Sequence, residues 1–274
     1  MLRNKVYLTV LFFTFCLTVF GQENNEKIVR IYKQTDTIQL KMEIYQPAKI
    51  VKSKKYPTIV FYFGGGWTSG TMTQFAPFAA HCVEKGLIAV LVDYRVKSRH
   101  KTSPIESLKD AKSAIRYLRV HAKELNINPN MIIASGGSAG GHLAAACYTN
   151  ETINDINDNL KISAKPNALV LFNPVIDTGK GGYGYERIGE RYLEFSPMHN
   201  IHKGFPPTIN FQGTNDKLIP VATAEKFKHK IDSVGSKCEL YLYEGKEHGF
   251  FNKKEFHEDI FAKMDAFLNY LSVK

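Results

Sequence analysis

The segment SGGSAGGHLAAA, residues 135–146, sets Gly136, Ser138 and Gly140 in the spacing glycine-x-serine-x-glycine. The apolar run 131–135 leads straight into it and the alanine-rich stretch 139–148 leaves it, which predicts a strand, a tight turn and a helix. A serine at such a turn is pushed out at the carboxyl edge of a sheet, beside a helix N-terminus whose partial positive charge favours a developing anion. The chemistry this suits is nucleophilic attack. Small residues at 136 and 140 are needed because the turn is strained and its flanking backbone crowds. No Gly-Lys-Ser/Thr follows, so the stretch is not a phosphate-binding loop.

A serine hydroxyl is a poor nucleophile at neutral pH, so a base must lie within hydrogen-bond reach and a carboxylate must hold that base in one tautomer. With this turn the acid and then the histidine follow the serine in chain order. Of nine histidines, His81, His121, His142, His229 and His257 fall in predicted helices, and His100, His199 and His202 precede the best acid. His248 remains, in the loop EGKEHGF, with Gly249 beside it to let the backbone turn. Asp216, in GTNDKLIP after a predicted strand, is the expected acid; Asp177, in NPVID after the strand before it, is the competitor. Asp216 is preferred because its loop is short and bounded by Gly213 and Pro220, whereas Asp177 opens a long excursion.

The elements that would carry these residues are legible as alternating short apolar runs and segments of helical period, an α/β pattern with a mostly parallel sheet. Residues 28–32 and 38–45 alternate in period two and read as leading antiparallel strands. Residues 58–63, 87–92, 131–135, 168–172, 208–211 and 239–243 read as buried strands. The best-marked helix starts at Ser103, with Pro104 in its first position and Glu106 completing a capping box, and its apolar stripe runs from Ile105 to Leu125. A second follows Pro220, and a last one carries Ile260, Met264, Phe267 and Leu271. Residues 173–203 show neither period and read as an excursion over the active-site edge of the sheet.

Residues 1–21 carry a basic start, a 15-residue apolar run from Val6 to Phe20 and a small-residue site at Val19 and Gly21. This run is short of the roughly 20 residues that span a bilayer, so the stretch reads as a cleaved signal peptide, leaving residues 22–274 as a single domain exported to the periplasm or beyond, with no stable membrane anchor. The chain carries 36 basic and 26 acidic residues, a net charge of +10. Loss of Arg3 and Lys5 with the leader leaves that balance at +8. The basic residues are dispersed rather than clustered, so nucleic acid is not an expected partner. Cys82, Cys147 and Cys238 have no metal-ligand spacing and allow at most one disulfide; buried, inert thiols are the expected state.

Taken together, FGGGW at 63–67, DYR at 93–95, the helix around Asp110, GGSAGGH at 136–142, SPMHNI at 196–201, GTND at 213–216 and EHGF at 247–250 resemble a known group. They are similar to the α/β-hydrolase esterases of the acetyl esterase and hormone-sensitive-lipase-like group, above all small secreted carbohydrate acetyl or feruloyl esterases. The resemblance implies the α/β-hydrolase fold, a mostly parallel sheet of about eight strands with helices on both faces. It implies Ser138 as nucleophile, Asp216 as acid and His248 as base, with an oxyanion hole from the backbone N–H groups of Gly65, Gly66 and Ala139. No metal or organic cofactor is implied. The chain departs from the group's pattern at Phe63, where a histidine precedes the glycines, and strands are expected to begin almost directly after Gln22, without the cap of lipase-like members. The expected activity is therefore a serine carboxylesterase acting on short acyl esters, acetyl or feruloyl in type, of plant or algal polysaccharides or their oligosaccharides. A small amidase, formamidase or peptidase of the same fold, a lipase, and a noncatalytic binding protein are the alternatives. Trp67, Tyr183, Tyr185 and Tyr192 are candidate sugar-stacking aromatics, and Arg95 with Asp110 is read as a structural pair.

Overall fold

The computed structural model describes residues 27–35 and 37–272; the expected leader lies outside the described residues. Eight strands are present: β1 (Ile28–Gln34), β2 (Gln39–Tyr45), β3 (Tyr56–Tyr62), β4 (Ile88–Val92), β5 (Ile127–Gly137), β6 (Ala168–Phe172), β7 (Thr208–Gly213) and β8 (Cys238–Tyr243). They form one sheet in the order β1-β2-β4-β3-β5-β6-β7-β8. β1 and β2 pair antiparallel, β2 joins β4 antiparallel, and every pair from β4 to β8 is parallel. The helices are α1 (Ala76–Glu84), α2 (Lys97–His100), α3 (Pro104–Val120), α4 (Ala139–Thr149), α5 (Tyr185–Ile188), α6 (Tyr192–Phe195), α7 (Val221–Ser233) and α8 (His257–Ser272).

Period-two alternation divides the strand side chains between two cores. Val60, Tyr62, Val90, Ile132, Ala134 and Leu171 face Leu108, Ile115, Leu143 and Phe227, from α3, α4 and α7. Ile59, Phe61, Leu91, Ile133, Val170 and Phe211 face Phe78, Ile260, Met264 and Phe267, from α1 and α8. Helices therefore cover both faces, and the buried strands read as continuous apolar runs for that reason.

Two boundaries differ from expectation by four residues or more, and the other strand ends by no more than two. β5 starts at Ile127, not Met131, and crosses Pro129, whose missing N–H is absorbed by a register shift between the Tyr56↔Ile127 and Thr58↔Ile132 pairs. α3 stops at Val120, not Leu125: Ala122 and Leu125 are still buried, but in a turn that Asn126 closes in the left-handed region at φ 59°. The apolar period thus outran the helix because the turn also packs inward. Ser103 Oγ accepts from the Ile105 N–H at 3.3 Å and donates to the Glu106 carboxylate at 2.5 Å, which fixes the helix start.

Asp110 on α3 is fully buried and accepts from the Arg95 backbone N–H (3.0 Å), Nε (2.8 Å) and Nη2 (2.7 Å) and from Lys33 Nζ (2.7 Å). It ties the loop after β4 to α3 and β1, the structural pairing expected of it. Cys82, Cys147 and Cys238 are all free and buried. Burial pushes the Cys147 and Cys238 thiols up to about 12, so neither supplies a thiolate nucleophile at neutral pH.

Candidate active site

Ser138 stands between β5 and α4 at φ 54°, ψ −119°, a conformation that an L-residue adopts only under constraint. The constraint is visible. Its N–H donates to the Phe172 carbonyl at the end of β6 (2.9 Å), and its own carbonyl accepts from His142 and Val175, each at 3.0 Å. Gly136 and Gly140 are there for space: a Cβ on Gly136 would meet the Tyr62 carbonyl oxygen at 2.6 Å, and one on Gly140 would overlap the Tyr62 and Phe63 carbonyls.

His248 Nε2 lies 2.9 Å from Ser138 Oγ, and its Nδ1 lies 2.7 Å from Asp216 Oδ2. An ionised carboxylate only accepts, so Nδ1 carries the proton and Nε2 accepts from the serine hydroxyl. Asp216 also accepts from the N–H groups of Leu218 and Ile219 (both 2.9 Å) and from Gln212 Nε2 (3.1 Å). Burial alone would raise its pKa, but the His248 bond and the Ile219 and Leu218 amides outweigh that and hold the carboxyl below its ordinary range. It is an anion at neutral pH. Asp177, the competitor, turns its carboxylate to its own loop, accepting from the Gly179 N–H at 2.9 Å.

The glycine loop runs beside the serine: a Cβ on Gly64 would sit 3.5 Å from Ser138 Cβ. The Gly64 N–H is taken by Gln74 Oε1 at 2.6 Å. Among the described residues the N–H groups of Gly65 and Gly66 have no acceptor, and the Ala139 N–H, in the first turn of α4, has none within its helix. Gly65 and Gly66 have φ of 115° and 62°. The loop is held from outside by Tyr94, whose hydroxyl donates to the Phe63 carbonyl at 2.6 Å and whose ring stacks on Phe63 at 4.0 Å, and by Arg187, which donates to the Gly66 carbonyl. Arg187 and Tyr183, both from segment 173–203, reach this loop.

Trp67 needs correction. It is 1% exposed, with His142, Phe195 and Tyr183 packed around its ring at 5.1, 5.8 and 6.2 Å, so no face is left for a sugar. Tyr183 borders the loop, its hydroxyl 2.7 Å from where a Gly66 Cβ would be. Tyr185 turns its hydroxyl to Glu190 (2.6 Å) and packs its ring against Tyr192 at 5.8 Å.

Asn173 was missed by the sequence reading. Fully buried, it sets Nδ2 3.3 Å from Nδ1 and 3.5 Å from Nε2 of His248, while Oδ1 accepts from the Gly249 N–H at 3.3 Å. Its φ is 32° and its N–H is fixed by the Phe211 carbonyl at 2.7 Å. The signal was an asparagine directly after the apolar run ALVLF and before Pro174, a position where only a polar residue tolerant of positive φ serves. Together the groups can deliver an alkoxide equivalent to a carbonyl carbon and hold the resulting oxyanion with backbone donors.

Comparison with known proteins supplies the rest. The BD-FAE family model matches residues 42–180, and the prolyl oligopeptidase family model matches residues 167–273. An acetylxylan esterase from Xylanibacter ruminicola is 28% identical over 203 residues, covering 68% of this chain and 39% of that protein. A probable isoprenylcysteine alpha-carbonyl methylesterase from Arabidopsis thaliana is 27% identical over 236 residues, covering 76% and 48%. The chain thus spans about half or less of the length of these curated relatives. Among solved structures, the apo form of Thermogutta terrifontis esterase 2 superposes with a TM-score of 0.86 at 40% identity, covering 89% of this chain and 94% of that one. The same esterase with propionate bound gives a TM-score of 0.86 at 38% identity, covering 91% and 96%.

Proposed function

The chain belongs to the BD-FAE family of α/β-hydrolase esterases, and from that premise we propose that it is an exported serine carboxylesterase that removes short acyl groups from carbohydrate. The observation that carries the reading is the continuous hydrogen-bonded chain Asp216–His248–Ser138 at a strained turn, facing a glycine loop with two free N–H groups. Ser138 Oγ attacks the ester carbonyl as His248 Nε2 takes its proton, and Asp216 steadies the imidazolium that forms. The N–H groups of Gly65, Gly66 and Ala139 hold the oxyanion; the alcohol leaves with the proton from His248, and water, activated by the same ring, releases the acid. Short acyl groups are favoured by the neighbouring esterase structures with propionate and butyrate bound, and carbohydrate by the acetylxylan esterase relative. Export rests on the basic and apolar character of residues 1–21.

The match of residues 167–273 to the prolyl oligopeptidase family keeps amide cleavage as the second reading, because that segment carries both Asp216 and His248. One assay separates the two. Turnover of p-nitrophenyl acetate, butyrate and octanoate is expected to fall with chain length, and matching p-nitroanilides are expected to be cleaved far more slowly. Faster anilide cleavage would replace esterase by amidase, and a rate rising to octanoate would replace it by lipase. Mass spectrometry of acetylated and feruloylated xylan oligosaccharides should show loss of an acyl group; none lost, with simple esters cleaved, would remove the carbohydrate assignment.

Asn173 enters as a positioning residue. Losing the bond from the Gly249 N–H to its Oδ1, which helps to place the neighbouring His248, costs about 1.4 kcal/mol, so Asn173→Ala is expected to lower kcat for p-nitrophenyl acetate about tenfold with KM nearly unchanged. It should also displace the acidic limb of the kcat profile, because the amide touches both ring nitrogens of His248. An unchanged profile with lower thermal stability alone would make Asn173 a packing residue.

A further inference from the structure

A cavity of about 440 Å³ shares Gly66 with the oxyanion loop and is lined also by Trp67, Lys97, Lys101, Thr102 and Arg187. Three of these residues are cationic. The carboxylate in the lining, Glu186, lies 3.1 Å from Arg187 Nε and is spent on it. Among the described residues Lys97 and Lys101 make no ion pair. Two further polar atoms in the lining residues, Trp67 Nε1 and Thr102 Oγ1, are buried without a hydrogen-bond partner. Buried polar atoms are ordinarily satisfied, and an indole N–H can only donate. Positive charge, an orphan donor and an unpartnered hydroxyl share one preference: a group with several acceptor oxygens and a negative charge.

We propose that this cavity is a subsite for an anionic group, a carboxylate or sulfate, on the alcohol portion of the substrate, so that the protein favours acylated acidic sugars over neutral ones. The proposal rests on the esterase reading. An acetyl group carries no charge, so the anion belongs to the sugar, and the cavity meets the oxyanion loop at Gly66. Exposed charges a few ångströms from an anion in water each contribute a few-fold in affinity, and that contribution is screened by salt.

The test compares kcat/KM for acetate release from acetylated galacturonic acid, acetylated galactose sulfate and acetylated galactose. At low salt at least one acidic substrate is expected to exceed the neutral sugar by about tenfold or more. That advantage should shrink at high salt and in Lys97→Gln/Lys101→Gln. A gain confined to the carboxylate or to the sulfate names the group. Equal kcat/KM for all three, or an advantage untouched in the double lysine variant, overturns the subsite. p-Nitrophenyl acetate run alongside separates the two claims: its turnover with no acid preference ends only the subsite, whereas its absence ends the esterase reading and the subsite with it.

Discussion

Ser138→Ala is expected to abolish nearly all turnover of p-nitrophenyl acetate, lowering kcat by ~10⁴- to 10⁶-fold, because the nucleophile, its base and its acid act as one unit. The residual rate would come from the backbone donors and from binding. The loss should not come from unfolding. Ser138 sits at φ 54°, ψ −119°, and its backbone is fixed by backbone hydrogen bonds to Phe172, His142 and Val175 that do not use the hydroxyl. Backbone strain of this kind costs about 1–3 kcal/mol, and glycine relieves it where alanine does not. Ser138→Gly should therefore be equally inactive yet unfold at a higher temperature than Ser138→Ala in a thermal melt. A Ser138→Ala protein that keeps most of its activity would move the nucleophile elsewhere.

Gly65→Ala is the second large effect, with an expected loss of at least ~100-fold in kcat, the usual consequence of misplacing one oxyanion donor. The cause is geometric. Gly65 has φ 115°, and a Cβ there would overlap the Ser69 carbonyl oxygen, which is backbone and cannot step aside without moving the loop. Phe63→His should stay within about tenfold, since the Gly65 and Gly66 N–H groups are untouched and the loop keeps its Tyr94, Gln74 and Arg187 anchors. Kinetics and circular dichroism on both variants check this: equal losses would mean that the loop does not form the hole.

Why the glycine run tolerates Phe63 shows how far sequence reasoning reaches. The order of strands and helices followed from hydrophobic period, and the residues brought together at the sheet edge followed from chain order and the demands of acyl transfer. What holds the loop did not, because Tyr94 and Gln74 meet it from 31 and 10 residues away, a relation that no local pattern encodes. Nor does a local pattern show that a side chain at 65 or 66 would strike Ser69 or Tyr183. Trp67 was misjudged for a related reason, since a lone tryptophan after a glycine run reads the same whether its ring faces a ligand or the core. Asn173 shows the converse, a polar side chain whose role exists only because β6 and the His248 loop converge.

The most direct measurement is covalent. The neighbouring Thermogutta terrifontis esterase 2 has been captured phosphorylated by paraoxon, and the same reagent should react here at the one serine activated by His248. After incubation with paraoxon, peptide mass spectrometry is predicted to place a single diethylphosphoryl group on Ser138, with activity lost in proportion to its occupancy and no label in Ser138→Ala. Full activity in a fully labelled protein, or a label on another serine that tracks the loss, would contradict the assignment of Ser138 as the nucleophile.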